Sequence, residues 1–151
     1  MNGTTQITRI IEWDMGHRVP NHKSKCRNPH GHRYRLELTV RGAVIATQGD
    51  SSEGMVHDFG DLKTALTKHI HDVLDHGFML AESDTTMRAF YESCDEEFRV
   101  VVVPFIPTAE NIACWCYEQL NGVIPRSLKI ARLRLFETPN SWADYLPENA
   151  E

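Results

Sequence analysis

The sequence predicts an α+β fold, an antiparallel sheet with helices packed on one face. Strand-like patterns lie towards both ends of the chain, at residues 4–13, 32–40, 128–137 and 141–145. Helical periodicity of three and four residues is confined to two segments between them. The 151 residues, 41% hydrophobic and 25% charged, suffice for one core without disulfide staples. No repeat, low-complexity tract or linker interrupts them, so residues 1–151 read as a single domain.

Residues 4–13 are rich in Ile and Thr and read as the first strand. A polar, Pro-containing loop follows at 16–29. Residues 32–40 then alternate, with Tyr34, Leu36, Leu38 and Val40 on one face and Arg33, Arg35, Glu37 and Thr39 on the other. After a turn cluster at 49–54, Phe59, Leu62, Leu66, Ile70, Val73 and Leu74 mark an amphipathic helix. Asp58 sits where its N-cap belongs, and Gly77 is placed to stop it. Residues 81–97 are a polar, acidic excursion with no assigned element, and 100–103 read as a short buried strand. Pro107 and Thr108 start a second helix with Ile112, Trp115, Cys116 and Leu120 on its apolar face and Gly122 at its end. Residues 128–137 are a strand, and Thr138, Pro139 and Asn140 turn the chain into a last one at 141–145.

Composition narrows the function. No apolar run, 100–103 included, comes near the length of a membrane span, and the first ten residues lack a signal-peptide pattern. Lys and Arg number 16 against 21 Asp and Glu, a net charge of −5. That argues against a general nucleic-acid binder, and an anionic small molecule would need cations gathered locally. Four cysteines are too few for a disulfide scaffold and point to a reducing, cytoplasmic setting.

Eight histidines are the unusual feature. His30 and His32, two apart at the start of a strand, share a face, and Gly31 between them leaves room for close approach. Catalytic zinc takes three protein ligands and one open position, and the best third candidate is His17, brought alongside by an antiparallel neighbour. The same pattern also occurs on exposed strands that bind nothing. Cys26 is open to three readings: a fourth ligand closing a structural site, a nucleophile or base beside an open one, or a small buried hydrophobe. Cys94, Cys114 and Cys116 have no such company. Asp75 beside His76 fits a carboxylate orienting an imidazole, or an ordinary polar helix end. Glu137 shares strand parity with Leu133 and Leu135, which puts a carboxylate on an apolar face. It needs a partner there, either an Arg or the paired N–H groups of a heterocycle. Glu110, in the first turn of the second helix, is explained by the helix dipole alone.

Taken in order, C-x3-H-G-H after an earlier His, G-M-V-H-D-F-G-D-L-K, L-D-H-G, P-T-A-E-N-I-A and F-E-T-P-N-S-W-A-D-Y resemble the 6-pyruvoyl-tetrahydropterin synthase superfamily. The motifs run from His17 to Tyr145, and 81–97 is the stretch that matches least. The resemblance implies the T-fold, a four-stranded antiparallel sheet with two helices between strands two and three. It implies a homohexamer, two stacked trimers whose sheets close into barrels, with active sites between subunits. It makes His17, His30 and His32 the ligands of Zn2+ and Cys26 the catalytic thiol. Asp75 and His76 become a proton-relaying pair supplied by a neighbouring subunit, and Glu137 the acid that grips the pterin N–H groups. Three residues separate Cys26 from His30, as in the carboxy-forming branch that serves queuosine biosynthesis; pyruvoyl-forming animal enzymes typically place five, and a folate-related branch carries a Glu near this position. The implied substrate is 7,8-dihydroneopterin triphosphate, cleaved to a carboxylated tetrahydropterin with release of acetaldehyde and triphosphate, with no nucleic acid or membrane involved. Lys23, Lys25 and Arg27 are either phosphate contacts or ordinary solvated loop charges. The alternatives are the pyruvoyl-forming outcome on the same residues and a non-catalytic zinc module with Cys26 as fourth ligand.

Overall fold

A computed structural model describes residues 3–148. Six strands, β1 (Thr5–His17), β2 (His30–Gly42), β3 (Gly77–Ala81), β4 (Val100–Val103), β5 (Lys129–Thr138) and β6 (Ser141–Tyr145), form one sheet in the order β4-β3-β1-β2-β5-β6. β1, β2, β5 and β6 pair antiparallel, which accounts for the four expected strands. β3 then adds parallel to β1, and β4 parallel to β3, so the sheet has six strands and is mixed at one end.

Three helices accompany it, where two were expected. Phe59–Leu66, a π-helical turn Thr67–His71 and a last turn Asp72–Leu74 follow one another as helix α1. Asp58 caps it as predicted, accepting from the Gly60 N–H at 2.5 Å. The unassigned acidic segment contains helix α2 (Thr85–Glu92), capped by Asp84, which accepts from the Met87 N–H at 3.2 Å. Helix α3 (Ala109–Asn121) runs from Thr108 to Gly122, both in their expected roles.

Gly77 does not end α1. The reversal falls on His76, which takes the left-handed conformation at φ 57°, and Gly77 opens β3. A Cβ at Gly77 would lie 3.0 Å from the Leu74 carbonyl oxygen and 3.3 Å from the Arg99 side chain, so the chain can only turn this tightly at glycine. β3 escapes detection because its five residues follow a helix after two residues, and so short an apolar run has no period of its own. β4 is an edge strand, and its Val102 is 53% exposed, so the run is not buried as expected.

The alternation expected for β2 is observed. Tyr34, Leu36, Leu38 and Val40 are all fully buried and join Trp13 and Met15 of β1 and Leu133 and Leu135 of β5. Leu62, Leu66 and Ile70 of α1 and Ile112, Cys116 and Leu120 of α3 complete this core. The opposite face carries charge. Glu37 lies 2.7 Å from Arg35 and 3.6 Å from Arg132, and Arg134 forks onto Asp144 with both bonds at 2.7 Å. Leu36 sits in the middle of β2 with β1 and β5 on either side. Leu36→Ala is expected to cost about 2–5 kcal/mol, read as a lowered urea midpoint, because the surrounding strands cannot collapse into the cavity.

Candidate functional site

The sheet's apolar face ends in histidines. β1 runs on past residue 13, so His17 is its last residue and stands directly opposite His30, the first residue of β2. His32, opposite Met15, follows on the same face. One ring nitrogen from each of His17, His30 and His32 lies within 4.8 Å of the others. His17 is 1% exposed, and its Nδ1 donates to the Pro107 carbonyl at 2.7 Å. The His30 Nδ1 donates to the Asn28 carbonyl, also at 2.7 Å. A carbonyl can only accept, so both rings carry a proton on Nδ1, and the neutral form of each presents an Nε2 lone pair.

Burial lowers the pKa of His17 and of His32 and outweighs the nearby Glu137 carboxylate, which pulls the other way. Both imidazoles are therefore held neutral. The Glu137 Oε1 nevertheless lies 3.5 Å from the His17 Nε2 and 3.8 Å from the His32 Nε2, and neither buried nitrogen has a hydrogen-bond partner. The His17 lone pair thus faces a carboxylate with no proton between them. Three converging imidazole nitrogens fit a divalent cation of the zinc type.

Glu137 is inward-facing, as its parity predicts, but not sealed off. It is 29% exposed and opens onto a cavity of about 260 Å³ shared with His17, His30 and Cys26. Arg132 and Arg134, the arginines that could have paired with it, face Glu37 and Asp144. Cys26 sits in a 3-10 turn, Lys25–Arg27, and lies outside the group of converging nitrogens. Glu110 borders the same cavity, as do His22 and Trp142. Lys23, Lys25 and Arg27 do not border the cavity.

Asp75 and His76 are joined, but elsewhere. The His76 Nδ1 donates to the Asp75 carboxylate at 2.7 Å, and the Asp14 N–H donates to the same carboxylate at 3.1 Å. Those two bonds, His76 foremost, hold Asp75 below the usual carboxylate pKa. His76 is 80% exposed and borders a separate open cavity with Asp14, Gly16 and His32. Within one chain the pair and Cys26 therefore line different spaces.

Solved structures with this chain path are proteins of the T-fold. A 6-pyruvoyl tetrahydropterin synthase from Caenorhabditis elegans matches with a TM-score of 0.68 at 24% identity, covering 97% of each chain. An uncharacterized protein from Wolinella succinogenes matches with a TM-score of 0.79 at 25% identity, covering 97% of this chain and 100% of its own. Residues 6–148 match the 6-pyruvoyl tetrahydropterin synthase family, and the chain belongs to it. Among curated relatives, a 6-carboxy-5,6,7,8-tetrahydropterin synthase of Rickettsia felis is 36% identical over 92% of this chain and 98% of its own. One of Haemophilus influenzae is 32% identical over 93% and 97%.

The lowered histidine pKa values set a pH dependence. Above the ordinary value of 6.5, His17 and His32 are neutral whether the chain is folded or not. Below it the unfolded chain takes up protons that the folded one refuses, so stability falls as pH drops from 6.5 towards the folded values. The urea midpoint of metal-free protein is expected to fall between pH 8 and pH ~5.5. It should fall less in a His17→Gln, His32→Gln double variant; equal falls would show that these rings are not held neutral.

Proposed function

We propose that this protein is a zinc-dependent lyase. It converts 7,8-dihydroneopterin triphosphate, with uptake of water, to 6-carboxy-5,6,7,8-tetrahydropterin, acetaldehyde and triphosphate. The observation that carries the reading is the cavity in which a thiol, an inward carboxylate and two of three converging histidines meet. The names of the Rickettsia and Haemophilus relatives and the three residues between Cys26 and His30 favour the carboxylated product over the pyruvoyl one. Cys26 outside the nitrogen group favours an open site over a closed structural one.

His17, His30 and His32 would hold Zn2+, which supplies a Lewis acid for the oxygens of the substrate side chain. Cys26, as thiolate, takes the proton from the adjacent carbon. Glu137 accepts from the ring N–H and exocyclic amino group of the pterin and so fixes its register. Asp75 holds His76 by Nδ1 and stabilises its imidazolium, whose outer N–H returns a proton to the substrate and leaves the ring neutral. The separation of His76 from Cys26 within one chain supports a site completed by a neighbour. The family resemblance is what suggests that the assembly is a homohexamer serving queuosine biosynthesis, and the low cysteine count a cytoplasmic setting.

Purified protein given dihydroneopterin triphosphate is expected to form the carboxylated tetrahydropterin and acetaldehyde, identified by mass. A pyruvoyl product alone would select the other branch, and no product would overturn the reading. Cys26→Ala should keep about one zinc per chain while losing roughly 10²–10⁴-fold in turnover, whereas His32→Ala should lose most of its zinc.

Glu137→Gln replaces an acceptor oxygen by an NH2 group that faces ligand donors. A cost of about 2–4 kcal/mol in kcat/KM is expected, with zinc content unchanged. Parental turnover in this variant would end the pterin-anchor role.

A further inference from the structure

The turn that carries Cys26 contains no buried residue, so packing does not hold it. Hydrogen bonds to its carbonyls do. The Val19 N–H donates to the Cys26 carbonyl at 2.9 Å, the Arg18 Nη1 to the Arg27 carbonyl at 3.3 Å, and the His30 Nδ1 to the Asn28 carbonyl at 2.7 Å. Three successive carbonyls are thus taken by residues at the ends of β1 and β2, next to the histidine triad.

Of these donors, Arg18 has a second attachment. Its Nε and Nη2 fork onto the two oxygens of Asp84, both at 2.5 Å. Asp84 is 3% exposed, and the oxygen that meets Nη2 also caps α2. A bidentate guanidinium–carboxylate pair is planar and fixes direction as well as distance, which a lysine ammonium cannot do. Because Arg18 directly follows His17, one side chain connects a candidate metal ligand, the thiol-bearing turn and the start of α2.

We propose that Arg18, anchored by Asp84, is a positioning residue that sets the reach of the Cys26 thiol towards the histidine triad. The acidic segment that matched the family least supplies that anchor. The inference rests on the reading of Cys26 as the reacting thiol. Its expected size follows from geometry, since a reacting group misplaced by about 1 Å costs roughly 10²-fold.

The test compares the zinc-loaded parent with Arg18→Lys, which keeps the charge and loses the fork. Asp84→Asn, which keeps the shape and a cap oxygen, is read in the same way and stands in if Arg18→Lys does not fold. Three quantities are measured: amide exchange across residues 19–29, the rate of Cys26 alkylation by iodoacetamide resolved from Cys94 and Cys114 by peptide mass, and kcat and KM separately. Expected are exchange about tenfold faster in this segment and a Cys26 alkylation rate changed at least about threefold, with Cys94, Cys114 and zinc content as in the parent. kcat should fall roughly 10–100-fold while KM stays within about twofold. Parental exchange and alkylation would overturn the clamp whatever the turnover. A loosened turn with parental kcat would overturn the positioning role. If the parent itself forms no product, the proposed reaction fails, and the clamp is then decided by exchange and alkylation alone.

Discussion

The antiparallel pairing of β1 with β2 is the constraint on which the rest depends. It runs without interruption from Thr5 opposite Gly42 to His17 opposite His30. Trp13 lies opposite Tyr34, with their rings stacked 5.7 Å apart, and Ile11 opposite Leu36. These apolar pairs fix the register, because a slip of one residue would turn every buried side chain of β1 towards solvent. The same register decides that His17 meets His30. Gly31 protects it, since a Cβ there would stand 3.1 Å from the Met15 carbonyl oxygen across the pair. Site geometry and core packing are one choice, made by hydrophobic burial.

Burial also prepares the chemistry. His17 and His32 lie beside the ring of Tyr34, at 5.9 and 5.7 Å between centroids. Tyr34 is itself fully buried, and its hydroxyl is pushed well above its ordinary pKa, chiefly by desolvation. An environment that penalises charge in this way keeps the imidazoles neutral, the form in which nitrogen can donate a lone pair to a metal. The cost is two buried imidazole nitrogens without a hydrogen-bond partner beside a carboxylate, a set of groups that a cation would complete.

What could be read from the sequence follows the range of the interactions involved. Parity put His30 and His32 on one face and Glu137 with Leu133 and Leu135, because a strand's alternation is local. The caps Asp58 and Thr108 are local for the same reason. The reach of β1 to His17 was hidden by Asp14 and Gly16, residues of low strand propensity that pairing with β2 overrides. The Pro107 carbonyl that sets the His17 tautomer is 90 residues away, and no pattern in the chain announces it. The partner of Arg18, Asp84, lies 66 residues on, and no local pattern announces it either. That Glu110 borders the cavity depends on how α3 packs, which no local pattern shows.

The Asp75–His76 pair shows how a local and a distant requirement combine. His76 occupies a left-handed conformation that costs a non-glycine residue on the order of 1 kcal/mol or more. Its N–H donates to the Asp14 carbonyl at 2.8 Å, while the Asp14 N–H returns a bond to Asp75, so both members are pinned to β1. With backbone and Nδ1 fixed, only the outer ring nitrogen is unconstrained, and the ring projects into solvent. Orienting a side chain this closely loses rotamer freedom, which the bonds to Asp75 and Asp14 offset. In the proposed assembly this imidazole would serve the neighbouring subunit, whose thiol and carboxylate share one cavity. In that proposed assembly the strained turn after α1 would be the device that carries one subunit's chemistry to the next.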